Sequence, residues 1–295
     1  MYVECKKWFD PILHFAFDPG AEGTRKGRLM KDEYIQVGDI EMCCDIVGEG
    51  PPLVMIMGYT ASKDWWQPAF VERLAVEHRL LLFDNRGAGK SSSGTRDFTV
   101  KRFADDTAML MAELGIKKAD ILGASMGGMI AQEFAINYPG KTDNLVLMCT
   151  SCGGVHATLP GPRTLKPLVK RYPTPEEQMR NSIDILYPAD WVREHPEAVE
   201  ETIAAATAAP ISPKNALRQM GAISRHHTYG RLPLVKNRTM VMCGDSDVLL
   251  PAKNSKTIAS RIPGAELKIY ANGGHGFAMQ FTDEVTADVN VFLEG

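Results

Sequence analysis

The sequence predicts an α/β protein: a mostly parallel, eight-stranded sheet flanked by helices, with a helical cap inserted in its second half. Three observations predict it. Strand-like runs recur at residues 33–38, 40–47, 53–57, 79–83, 119–123, 143–149, 238–243 and 266–270. From 53 onward these runs alternate with helical stretches, the pattern of parallel strands covered on both faces. Between Cys149 and Arg238 no strand pattern occurs, and nine prolines from Pro160 to Pro213 separate short helical runs. The expected division is an N-terminal extension over 1–32, a core over 33–150 and 233–295, and a cap over 151–232.

The elements follow in order. Residues 1–17 carry Trp8, Phe9, Ile12, Leu13, Phe15 and Phe17 among charged residues, with Pro11 and His14 breaking the apolar part. This lacks the unbroken apolar core and cleavage site of a secretory signal. These residues are expected to pack onto the body, onto a partner subunit of a homo-oligomer, or near a pocket mouth. The first two strands read as an antiparallel edge pair around Gly38-Asp39. In the helix at 99–114, Phe103, Thr107, Leu110, Met111 and Leu114 share one face. Thr99 suits its N-cap and Gly115 its C-terminal stop. In the cap, Ile183, Ile185, Leu186, Tyr187 and Trp191 are expected to be mostly core.

Residues 119–128 read A-D-I-L-G-A-S-M-G-G, which sets Gly123, Ser125 and Gly127 in a G-x-S-x-G arrangement between an apolar strand and a helical run. That is the layout of a nucleophile elbow, with the serine at the tip of a sharp strand-to-helix turn. A serine hydroxyl is a weak nucleophile until a base takes its proton and donors stabilise the oxyanion. The new helix offers free N–H groups and the positive end of its dipole.

Reactive groups in open parallel sheets gather beyond the carboxyl ends of the strands. Gly244 ends the apolar run Met240 to Cys243, and Asp245 and Asp247 follow it. Asp247 is favoured, with Pro251 behind it; Asp245 suits a local turn. After the last strand come Gly274, His275 and Gly276, the one histidine of seven placed there. Two backbone donors are expected for an oxyanion. One is Met126, after the serine. The other lies in Gly58-Tyr59-Thr60, assigned to Tyr59 with Thr60 as the alternative. Gly58, Trp65 and Trp66 are candidates to line the substrate pocket, although ordinary packing is the commoner role of such tryptophans.

These features together resemble the α/β-hydrolase superfamily in its esterase and lactonase branch. The likeness runs from about Tyr34 to the end and rests on Met57-Gly58, Phe83 to Ser91, Gly123 to Gly128, Gly244 to Asp247 and Gly274-His275-Gly276. It implies the α/β-hydrolase fold, with Ser125 as nucleophile, His275 as base, Asp247 as orienting acid and no cofactor. Many members carry histidine where Met57 stands. The chain is similar to small carboxylesterases and to 3-oxoadipate enol-lactonases.

Gly87-Ala-Gly-Lys-Ser91 imitates the end of a phosphate-binding loop, but Asp84 replaces its first glycine and Ser91 to Gly94 break the helix it needs. Asp84 and Arg86 are expected instead to pin backbone near the oxyanion loop. Six cysteines show neither a secreted disulfide framework nor zinc spacing, so no metal is expected. A net charge of −3 argues against nucleic acid and anionic membranes. No apolar run reaches the roughly 20 residues a span needs, and the expected location is cytoplasmic. The function expected is a serine carboxylesterase for small to medium acyl groups. The alternatives are an enol-lactone type lactonase, a cofactor-free perhydrolase and a low-turnover receptor of the same fold.

Overall fold

A computed structural model describes residues 32–162, 164, 170 and 172–295 of the chain. The expected packing of the first 17 residues lies outside them. Eight strands form one sheet in the order β1-β2-β4-β3-β5-β6-β7-β8. They are β1 Glu33–Val37, β2 Ile40–Val47, β3 Pro52–Ile56, β4 Arg79–Phe83, β5 Ala119–Ala124, β6 Thr142–Met148, β7 Thr239–Gly244 and β8 Glu266–Tyr270. Each agrees with its sequence-based run to within one residue at either end. Strand β2 pairs antiparallel with both β1 and β4, and every other pairing is parallel.

The inner strands β3 to β7 are largely apolar on both faces because both faces are covered, whereas the edge strand β8 is mostly exposed. One face holds α2 (Val100–Glu113), α3 (Met126–Asn137) and a later helix at Lys253–Arg261. Phe103, Leu110, Ile130, Phe134 and Ile258 there join Val54, Ile121 and Leu147 in one buried cluster. The other holds α1 (Pro68–Leu74) and the C-terminal helix Thr282–Glu294, where Phe70, Val285 and Phe292 meet Leu53, Leu80 and Met240. Helix α2 starts as its sequence demands: the Thr99 hydroxyl accepts the Arg102 N–H at 3.0 Å. Gly115 takes φ 69° just beyond its end, a left-handed turn that costs glycine little.

Between β6 and β7 the described residues form helices: α4 Pro175–Arg180, α5 Ile183–Leu186, α6 Ala189–Glu194, α7 Pro196–Ala208 and α8 Pro213–Arg225. Helices α4, α5 and α7 enclose a cluster of their own from Met179, Ile183, Tyr187, Val199 and Ile203. Helix α8 sits apart from it. Its Ala222 belongs to the cluster beneath α2 and α3. The helices beyond β7 are α9 Lys253–Arg261, α10 Phe277–Gln280 and α11 Thr282–Glu294.

Candidate active site

Ser125 caps α3 with φ 57° and ψ −120°. A left-handed φ is costly for a residue with a Cβ and persists only where the surroundings hold it. They do so on both sides of the peptide. The Ser125 N–H donates to Met148 O at 2.9 Å, and the Thr150 hydroxyl donates to Ser125 O at 2.7 Å. Gly127 is needed for close approach: a Cβ there would collide with the Ile56 carbonyl of β3. The Met126 N–H, first in the helix, makes no hydrogen bond among the described residues.

Asp247 and His275 meet. Asp247 is buried in the loop after β7; its Oδ1 accepts the Leu249 and Leu250 N–H groups, both at 2.8 Å. Its Oδ2 lies 2.8 Å from His275 Nδ1. A carboxylate only accepts, so Nδ1 donates, which in the neutral imidazole leaves the lone pair on Nε2. Asp245 instead accepts the Asn272 N–H at 2.7 Å and the Ser246 hydroxyl at 3.0 Å, a bond between the two loops. The choice between the aspartates therefore falls on geometry to Asp247. The Gly276 N–H donates to Leu186 O at 2.8 Å, and a Cβ on Gly276 would run into the Tyr187 ring. The end of α5 thus presses directly on the histidine loop. Among the described residues no hydrogen bond joins Ser125 Oγ to His275. Cys149, close to the Ser125 backbone, has its thiol pushed well up by burial, with the Asp247 charge adding to it.

The loop after β3 approaches the serine from the other side. A Cβ built on Gly58 would lie 3.0 Å from Ser125 Cβ and 3.4 Å from Oγ, so the loop passes close to the serine side chain. The Tyr59 N–H makes no hydrogen bond among the described residues. The Thr60 N–H donates to Gln219 Oε1 of α8 at 2.9 Å, which occupies the alternative donor. Burial pushes the Tyr59 phenol up, away from acid–base use.

The pinning expected of Asp84 and Arg86 is divided differently. Asp84 accepts the Lys63 N–H at 2.6 Å and the Lys90 N–H at 2.7 Å, which ties down the chain beyond the loop that follows β3. Arg86 is corrected: its guanidinium is spent on Asp106, twice at 2.7 Å, and on Asp39 at 2.9 Å. Asn85, between them, reaches the loop, donating to Met57 O at 2.9 Å. Of the tryptophans, Trp66 is 2% exposed and stacks on Phe70 at 5.5 Å, as core packing. Trp65 packs against the Met179–Tyr187 cluster of the inserted helices.

Sequence reading missed Asn85, Thr150 and Gln219. Gln219 left one signal, a polar residue sharing the buried face of α8 with Ala222 and Ile223. Among the described residues no group of three or more His, Cys, Asp and Glu is placed to hold a metal, and no helix is long and apolar enough to cross a membrane.

Comparison with known proteins adds the lineage. Over 255 residues the chain is 28% identical to a Caulobacter protein provisionally named carbamate hydrolase RutD, covering 82% of this chain and 90% of that one. The namesake from Serratia proteamaculans is 26% identical over 243 residues, covering 79% and 86%. A thermophilic esterase from Thermogutta terrifontis superposes with a TM-score of 0.76 at 25% identity, over 90% of this chain and 98% of that one. The enol-lactonase from Burkholderia xenovorans LB400 gives 0.77 at 21% identity, over 89% and 100%. The sequence profile of the alpha/beta hydrolase fold matches residues 51–282. With that match spanning most of its length, and the strand order and loop placements above, the chain belongs to the alpha/beta hydrolase fold family.

Proposed function

We propose that the protein is a serine hydrolase of carboxylic esters with small to medium acyl groups, acting through an acyl-enzyme. The observation that carries this is the 2.8 Å pairing of His275 Nδ1 with Asp247 Oδ2, beside the left-handed turn that lifts Ser125. In this reading His275 Nε2 takes the Ser125 proton as Oγ attacks the ester carbonyl. The Tyr59 and Met126 N–H groups, both without an acceptor among the described residues, hold the oxyanion of the tetrahedral intermediate. Its collapse breaks the C–O bond, and His275 returns the proton to the departing alcohol. Water then attacks the acyl-enzyme, with His275 as base, and the acid leaves. Asp247 holds the imidazole in the tautomer this needs. The Ser125–His275 contact closes in the substrate complex, as catalytic hydrogen bonds of ligand-free sites commonly do. The end of α5 over the histidine loop supports short acyl groups.

A carbamate reading also has support, from relatives 25% and 28% identical that carry that provisional name. A carbamate carbonyl follows the same tetrahedral path but is less electrophilic. The test is a panel of p-nitrophenyl esters, lactones and carbamates, with fluorophosphonate labelling mapped to its residue. Ester turnover, label on Ser125, and a loss on the order of 10³-fold or more in Ser125→Ala are expected. Turnover surviving that substitution rejects the mechanism. A carbamate kcat/KM above that of every ester moves the substrate class.

A further inference from the structure

Gln219 of α8 is fully buried, and its Oε1 accepts the Thr60 N–H. The carboxamide cannot be reversed there, because Nε2 would then set two donors face to face. In the observed orientation Nε2 is itself buried and has no hydrogen-bond partner among the described residues. An unpaired buried donor destabilises, and methionine would fill the same space without that penalty. What the carboxamide adds over an apolar filler is its hold on one amide.

Thr60 needs such a hold. It is β-branched yet sits at φ 63°, a region that glycine, asparagine and aspartate tolerate and β-branched residues do not. Within the loop, the Thr60 hydroxyl donates to Tyr59 O at 2.6 Å, and the Ala61 N–H reaches Gly58 O at a long 3.4 Å. The bond to Gln219 comes from an element 159 residues away. It fixes the plane of the Tyr59–Thr60 peptide, and with it the turn at Tyr59.

We infer that Gln219 is the positioning residue of the oxyanion loop: by engaging the Thr60 amide it holds that donor out of the site and aims the Tyr59 N–H over Ser125. The inference rests on the oxyanion role proposed for Tyr59. Because α8 lies in the segment inserted between β6 and β7, the loop is set only while that helix is seated on the core.

The experiment compares the parent with Gln219→Met. Expected are a kcat on p-nitrophenyl butyrate lower by about 10- to 100-fold with KM within about threefold. Hydrogen exchange at the Thr60 amide should speed by at least about tenfold, with β3 and β5 amides still protected. Adding Thr60→Gly should recover part of kcat, since glycine adopts that φ without strain. Unchanged Thr60 exchange overturns the inference, and so does a rise in KM alone, which would make Gln219 a substrate contact. Should Gln219→Met lose β3 and β5 protection as well, Gln219→Glu decides: its carbonyl oxygen still accepts, so Thr60 protection must persist there, and its loss overturns the inference. If ester turnover survives Ser125→Ala, the esterase reading has failed, and Thr60 exchange alone decides for or against the latch.

Discussion

Asp245 and Asp247 are chemically identical and two positions apart, yet they do different things. Asp247 turns to His275 with two backbone N–H groups holding its second oxygen, while Asp245 ties the β7 loop to the Asn272 loop. Asp247→Asn puts a donor where His275 needs an acceptor, and roughly a 10²- to 10⁴-fold fall in kcat is expected. Asp245→Asn should change kcat by less than about threefold and show mainly as lost stability. Steady-state kinetics of the pair on one ester checks both; equal losses would remove Asp247 from its assigned role. The buried guanidinium of Arg86 poses a related test. Arg86→Met leaves Asp106 buried without its bidentate partner, and about 3–5 kcal/mol of stability should disappear in urea unfolding.

At the scale of the element, α2, α4 and α8 begin where a side chain replaces a missing backbone partner. The Thr99 hydroxyl accepts the Arg102 N–H at the start of α2. Thr99→Ala should cost about 1 kcal/mol, measured as a shift in urea midpoint at constant m-value. The short α5 acts by contact instead. Its end lies against Gly276, so Gly276→Ala drives a methyl into the Tyr187 ring and separates the inserted helices from the histidine loop. That variant should lose activity more than stability. A crystal structure with the His275–Asp247 pair and Tyr187 unmoved would contradict it.

The whole molecule carries a pH dependence through His226, at the end of α8, where the chain returns toward the core. Its side chain is fully buried, and burial pushes its pKa down to about 4, although Glu133 lies 3.9 Å away. In the unfolded chain the imidazole titrates near 6.5. The folded state therefore binds this proton less readily. The stability from keeping it neutral is present above pH 6.5 and is lost as pH falls through about 4. The loss amounts to roughly 3 kcal/mol at most. Urea unfolding at pH 7.5 and pH 5 should show a smaller difference in His226→Leu than in the parent; an equal difference would assign the dependence to other groups.

The inner strands β3 to β7 were legible because buried parallel strands are nearly unbroken apolar runs, and α2 because its caps and stripe obey local rules. The loops bearing Ser125, Asp247 and His275 were legible for the same reason: each follows a strand end by a few residues, so chain order alone locates it. Whether those side chains meet is another matter. The sequence by itself determined the sheet, its helices and which loops crowd one edge, since these depend on propensity, period and neighbouring residues. Only the tertiary structure decided which aspartate faces His275, that Asn85 rather than Arg86 reaches Met57 just beyond β3, and that Gln219 holds Thr60. Those bonds join positions up to 159 residues apart and depend on ångström-scale direction, which no local pattern encodes.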